Sequence, residues 1–240
     1  MAALRQRGDA VSTISREIAA DAIDRLGFLN RTFDRALVIG DVTGAFAAHL
    51  RDQGSTVEVA DPSGHFGEEI DEEKPIAGGP YDLIASLGLL DTVNDLPGAL
   101  ILMRRALAAD GLMIASFLAA GSLPALRKAM LLGDGERPAP RIHPQVDVRA
   151  AGQLMTRLGY ASPVVDGWGF DVAFESLDQL VGDLRAQALG NVLADPGPPV
   201  SKAGLQRARN AFADEAGEDG LIRERFEVVT LSGWTPAPRG

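Results

Sequence analysis

The run Ala36-Leu-Val-Ile-Gly40-Asp-Val-Thr-Gly44, followed by Val57-Glu-Val-Ala-Asp61, decides how the rest of the chain is read. Ala36 to Ile39 is an apolar stretch long enough for one buried strand. Gly40 and Gly44 bracket a tight turn, and Ala45 to Gln53 has the pattern of a helix. The next apolar strand, Thr56 to Ala60, runs into Asp61, 21 positions after Gly40. Strand, glycine turn, helix, strand and terminal acid is the order by which open α/β sheets hold a nucleoside. The helix N-terminus offers backbone, and the carboxylate offers acceptors to ribose hydroxyls. One position departs from the pattern: Val42 stands where such turns usually carry a central glycine.

Working outward, helical and strand periodicities alternate. Asp9 to Gly27 carries Val11, Ile14, Ile18, Ala22 and Leu26 at helical spacing. Asp61 to Pro80 is polar, acidic and rich in glycine and proline, so it reads mostly as loop. Tyr81 to Ser86 is a buried strand, and Leu96 to Ala108 a helix with Asn94 or Asp95 as cap. Asp110-Gly111 is a turn before a further strand, Leu112 to Leu118. A helix over Ser122 to Leu132 and a proline-rich loop over Asp134 to Pro144 follow. Then come a helix (Asp147 to Leu158), strands at Ser162 to Trp168 and Asp171 to Phe174, and a helix from Ser176 to Leu189. A Pro/Gly loop (Leu193 to Val200), a helix (Lys202 to Ala216) and a long strand (Ile222 to Gly233) complete the chain. This alternation predicts an α/β doubly wound sheet, with antiparallel edge strands from the C-terminal segments. We expect one domain over 1–240: an N-terminal helix 9–27, a nucleotide-binding half 34–120, an insert 121–146 above the strand ends, and a C-terminal half 147–236.

Composition excludes several classes. The chain has 240 residues, no cysteine and three scattered histidines (His49, His65, His143), so thiolate chemistry and cysteine-ligated metals are ruled out. Its net charge of −10 argues against nucleic acid as a partner. It favours a small-molecule substrate or a protein partner. With 46% hydrophobic residues, the chain still lacks any apolar run near the roughly 18 residues of a membrane span. The first residues, Met1 to Arg7, lack a signal-peptide core, which predicts a cytoplasmic protein.

Beyond the opening motif, Tyr81-Asp-Leu-Ile, Val93-Asn-Asp-Leu-Pro-Gly-Ala-Leu100 and Arg105-Ala-Leu-Ala-Ala-Asp-Gly111 resemble class I S-adenosylmethionine (SAM) methyltransferases. The resemblance narrows to the group of the mitochondrial complex I assembly factor and the biotin-pathway malonyl-carrier-protein methyltransferase, and is nearest the assembly factor. It continues through Arg141-Ile-His-Pro144, Asp183-Leu-Arg185, Asp219-Gly-Leu-Ile222 and Leu231-Ser-Gly-Trp234-Thr-Pro. It implies a Rossmann-like methyltransferase sheet with a helical insert, SAM as cofactor, and methyl transfer to a small-molecule or protein acceptor. By position, Gly40, Asp41 and Gly44 would meet the methionine part of SAM, and Asp61 the ribose. Asp71 and Glu72 would approach the adenine, while Ser86 and Leu87 would line the transferred methyl. The family's Gly-Cys-Gly-x-Gly turn is Gly40-Asp-Val-Thr-Gly44 here. The segment after Asp61 is short, missing most of one helix and the third strand. These departures motivate the alternative of an inactive scaffold or assembly factor, with a respiratory-complex subunit as partner. A nicotinamide-dependent oxidoreductase shares the turn-and-acid logic, but no second dinucleotide half is visible.

Each candidate also has a plainer account. Asp41 suits a helix N-cap, Asp61 suits the Pro62-Ser-Gly64 turn, and Glu68 to Glu73 suits a solvated loop. His143 is a candidate base, against the usual structural role of a lone histidine. Arg141 is a candidate anion contact or a loop arginine. Trp168 and Trp234 fit the packing of the C-terminal strands. No residue is assigned a catalytic role from the sequence.

Overall fold

A computed structural model describes residues 13–29, 31–186, 189–193, 195 and 197–237. In chain order the elements are α1 (Thr13–Gly27), β1 (Arg35–Ile39), α2 (Ala45–Asp52), β2 (Thr56–Asp61), β3 (Glu68–Glu69) and β4 (Tyr81–Leu87). A 3-10 turn (Leu90–Thr92) leads to α3 (Leu96–Ala106), β5 (Leu107–Leu118), α4 (Pro124–Asp134) and α5 (Val148–Arg157). Last come β6 (Ala161–Phe174), α6 (Leu177–Ala186), α7 (Lys202–Ala213) and β7 (Ile222–Trp234). The expected helix starts of Asp9 to Ser12, and Gln187 and Ala188 of the sixth helix, lie outside the described residues.

The strands form one sheet in the order β3-β2-β1-β4-β5-β7-β6. β1 to β5 are parallel, and β7 runs antiparallel to both β5 and β6. The doubly wound sheet with antiparallel C-terminal strands is therefore as the sequence predicts. Side chains alternate across it, so each strand feeds two cores. Val38, Leu83, Ala85 and Ile114 face α1, α2, α4, α6 and α7, while Ile39, Ile84, Met113 and Ala115 face α3 and α5. Because both faces are covered, the stretches Ala36 to Ile39 of β1 and Leu83 to Ala85 of β4 read as continuous apolar runs rather than alternating ones.

Three expectations need correction. The segments Ser162 to Trp168 and Asp171 to Phe174 are one strand, β6. It lies at the sheet edge, where Pro163 costs no ladder bond, and a bulge between Ala161 and Val164 absorbs Ser162 at φ 46°. Asp110-Gly111 does not separate a helix from a strand. β5 already begins at Leu107, and its pairing with β4 jumps from Tyr81↔Leu107 to Leu83↔Leu112 around Asp110 at φ 57°. The third strand is reduced, not lost. Glu68 and Glu69 pair in parallel with Ala60 and Asp61, and Gly67 makes this possible, since a Cβ there would stand 2.2 Å from the Val59 carbonyl oxygen.

β5 last pairs with β7 at Leu118↔Val228, so Ile222 to Glu227 pair with β6 alone. The β6–β7 ribbon thus overhangs the end of the parallel strands, and the insert is built onto it. α4 begins at Leu123 in left-handed backbone, without a side-chain cap of its own. The buried Glu224 of β7 replaces the cap, its carboxylate accepting from the Ala125 and Leu126 amides at 3.1 and 2.8 Å.

Candidate cofactor site

The glycine turn after β1 places its left-handed backbone at Gly40 (φ 80°) and Gly44 (φ 70°). Val42 has no positive φ, so its β-branched side chain meets no backbone strain here. The two glycines have different surroundings. A Cβ at Gly40 would stand 2.6 Å from both the Leu87 carbonyl oxygen and Leu89 Cδ1, so the turn closes tightly on the end of β4. At Gly44 no atom lies within 4 Å of that point, and the residue is exposed at the mouth of α2.

Asp41, 4% exposed, caps this helix. Its Oδ2 accepts from the Ala47 amide at 2.9 Å and its Oδ1 from the Thr43 hydroxyl at 2.7 Å. Thr43 Oγ1 in turn accepts from the Ala45 amide at 3.0 Å. Two donors of the first helical turn, the Ala45 and Ala47 amides, are thereby bonded to the protein's own side chains.

Asp61 ends β2 fully buried. Its Oδ1 accepts from the Ser63 amide at 2.8 Å and from the Ser63 hydroxyl. Next to this turn opens a cavity of about 720 Å³, walled by Pro62, Ile70, Asp71, Glu72, Val93 and Val192 among others. That is within the size range of small-molecule sites. Glu72 is buried, whereas Asp71 is exposed and bonded to Lys74 Nζ at 2.9 Å, which holds its carboxyl below the usual range. Glu73 closes one wall, accepting from Asn94 Nδ2 at 2.9 Å and the Asp95 amide at 2.8 Å. Val192 was not a site candidate from the sequence, and Glu73 entered only as the end of the acidic run Glu68 to Glu73. A loop carboxylate reaching a helix start 22 positions away, and a valine from beyond α6, leave no local signal.

Ser86 and Leu87 end β4, alongside Ile39 of β1 and Ser116 of β5. Ser86 is 0% exposed, and its Oγ has no hydrogen-bond partner among the described residues. On the α1 face, Ser116 Oγ lies 3.0 Å from Thr230 Oγ1, which donates to Asp21 at 3.1 Å and accepts from Trp168 Nε1 at 3.1 Å. Trp168 also lies 5.7 Å from Phe170, and Trp234 packs under Arg31, so both tryptophans pack the C-terminal strands. The structure thus joins Asp71 and Glu72 at one cavity beside the Asp61 turn. It gathers Gly40 and Leu87 into packed strand ends and leaves Gly44 open at the helix mouth. Among the described residues there is no cluster that could hold a metal ion, and no helix is long and apolar enough to cross a membrane.

The methyltransferase domain family matches residues 12–162, well over half of the chain. The chain belongs to that family. Malonyl-[acyl-carrier protein] O-methyltransferase of Laribacter hongkongensis is 29% identical over 70% of this methyltransferase-family chain and 56% of its own length. The chain therefore spans little more than half of that relative. The mitochondrial arginine-hydroxylase NDUFAF5 of Rattus norvegicus is 25% identical over 95% of this chain and 74% of its own. Among solved structures, YcgJ of Bacillus subtilis superposes with a TM-score of 0.57 at 14% identity, over 93% of this chain and 100% of its own. Phosphoethanolamine N-methyltransferase 2 of Haemonchus contortus, solved with S-adenosylhomocysteine, gives 0.53 at 13% identity, over 90% of this chain and 52% of its own. At such identities the structural likeness speaks for the fold, a methyltransferase-type Rossmann-like sheet.

Proposed function

We propose that this methyltransferase-family protein binds SAM and transfers its methyl group to a small-molecule or protein acceptor. The observation that carries the proposal is the cavity beside Asp61, bordered by the acidic residues of the shortened β2–β4 connection. The residues present fit the cofactor. Gly44 leaves the helix mouth clear for the methionine part, and Ile70, Asp71 and Glu72 flank a space for the adenine. Asp61 presents its carboxylate to the ribose hydroxyls by exchanging the Ser63 hydroxyl for them. When bound, SAM supplies a methyl group already activated on a sulfonium. The chain's own work is to orient the acceptor and exclude water, with Leu87 and Leu89 providing apolar surface at the strand ends. Calorimetric titration with S-adenosylhomocysteine tests the proposal; absence of heat and of thermal stabilisation at millimolar ligand would sink it.

A second function is favoured by the internal capping of α2 and the burial of Asp61. A chain that bonds its own site groups serves as a scaffold, and the extended match to NDUFAF5 makes a respiratory-complex subunit the partner to test. Affinity appearing only in Val42→Gly would favour this scaffold with a lost site. Absence of the chain from purified respiratory assemblies would count against it.

A further inference from the structure

The sheet face covered by α3 and α5 carries side-chain charge of one sign. α3 holds Arg104 and Arg105, α5 holds Arg149 and Arg157, and neither helix contains an aspartate or glutamate. The two helices are joined at their ends. The Tyr160 hydroxyl, just past α5, donates to the Leu100 carbonyl of α3 at 2.9 Å, and a Cβ at Gly159 would stand 3.5 Å from Arg104 Nη2. Arg104, Arg105 and Arg157 therefore gather around Gly159. Arg105, Arg149 and Arg157 are exposed. One helical turn before Arg105, Ile101 and its neighbour Leu102 are only half-buried and belong to neither hydrophobic core.

These charges are unanswered within the chain. None of the four guanidinium groups has a hydrogen bond or ion pair among the described residues, and Arg104 Nε is shielded from solvent without one. Elsewhere Arg25, Arg35, Arg141, Arg209 and Arg223 each hold a carboxylate. Acids are not in short supply, with 33 Asp and Glu against 23 Lys and Arg. The acid that follows α3, Asp110, is taken by Arg31 at 2.7 Å. Helix dipoles do not account for the face either. Arg104, Arg105 and Arg157 stand in last turns, where each helix end offers about half a negative charge. Arg149 stands in the first turn of α5, where a cation opposes the dipole.

We propose that the α3–α5 face docks an acidic segment of a partner protein. Arg104, Arg105 and Arg157 pair with its carboxylates, and Ile101 and Leu102 give it apolar contact. A protein segment fits better than a nucleic acid or an anionic membrane. The chain as a whole carries −10 and repels an extended polyanion, whereas a short acidic segment sees only charges within a Debye length, about 8 Å. Because α3 runs into the start of β5, this docking end lies opposite the strand ends that border the proposed cofactor site. A docked partner thus leaves the cavity open, and the inference does not depend on the methyltransferase reading.

Nitrogen-15 NMR of the arginine Nε resonances of the full chain, assigned with single Arg→Gln variants, tests the surface. The probe is a synthetic amphipathic peptide of glutamate and leucine, added at an ionic strength of about 0.15 M so that diffuse attraction is screened. The peptide should shift Arg104, Arg105 and Arg157 while Arg25 and Arg141 stay fixed. Its affinity should fall about tenfold in Arg104→Gln/Arg105→Gln/Arg157→Gln, the loss of three charge contacts. An unchanged thermal midpoint shows that this variant folds. The exposed pair alone, Arg105→Gln/Arg157→Gln, should lose affinity in the same direction if Arg104 proves necessary for packing. No shift with the peptide, or equal affinity in the variants, overturns the proposal. So does a response confined to duplex DNA or phosphatidylglycerol vesicles.

Discussion

At the residue scale, the two turn glycines perform different tasks, and substitution separates them. Gly40→Ala places a methyl group 2.6 Å from a backbone carbonyl oxygen at positive φ. It should cost more than about 2 kcal/mol in urea unfolding, because neither strand end yields easily. Gly44→Ala meets open space and only unfavourable backbone, a cost of about 1 kcal/mol, so any larger loss of S-adenosylhomocysteine affinity reports on the ligand. Ser86 makes the opposite prediction. Its hydroxyl is buried without a partner, so Ser86→Ala should raise unfolding stability by about 1 kcal/mol, read from the urea midpoint.

At the element scale, α4 depends on a residue nearly a hundred positions away. Glu224→Ala removes the acceptor for the Ala125 and Leu126 amides and should destabilise the chain by about 2–3 kcal/mol in urea unfolding. Burial raises the Glu224 carboxyl above its ordinary value of 4.5, against the opposing pull of those amides. The folded state therefore binds the proton more tightly than the unfolded chain does. The associated stability is complete below the ordinary value and is lost as pH rises through the raised one. Glu224→Gln should remove that slope from a series of urea midpoints measured upward from pH 4.5. An unchanged slope would locate the proton elsewhere. β6 shows the same distance between local signal and outcome: Gly169 and Phe170 read as a break between two strands, whereas pairing with β7 carries one strand through them.

At the scale of the whole molecule, the proposed cofactor site joins segments that are distant in the chain: the turn after Asp61, the 69–77 connection, Thr92 to Asn94 ahead of α3, and Val192. A ligand bound only by the folded chain stabilises it by mass action, about 2.7 kcal/mol at a hundred times its dissociation constant. S-adenosylhomocysteine at that excess should raise the melting midpoint by several degrees in a thermal-shift measurement. Asp61→Asn, which keeps the Ser63 turn but removes the charge, should lose most of that rise. Equal shifts in both proteins would remove Asp61 from the ribose.

The amino-acid sequence by itself determined the strand and helix alternation, the glycine turn, the terminal acid at Asp61 and the sheet type. Those features rest on backbone freedom at Gly40 and Gly44 and on apolar periodicity, both properties of residues close together in the chain. Which partner each polar group takes was decided by tertiary structure. Asp41 bonds Ala47, Glu73 reaches Asp95, and Glu224 caps α4 because folding brings these groups within 3.1 Å. Val42 illustrates the division. Its presence in the turn is plain from the sequence, but its freedom from strain follows only once the left-handed backbone is seen to fall on the glycines either side. A hydrogen bond between distant segments carries no local pattern, so the cavity, its walls and the unpaired atoms at Ser86, Arg104 and His143 became visible only in three dimensions.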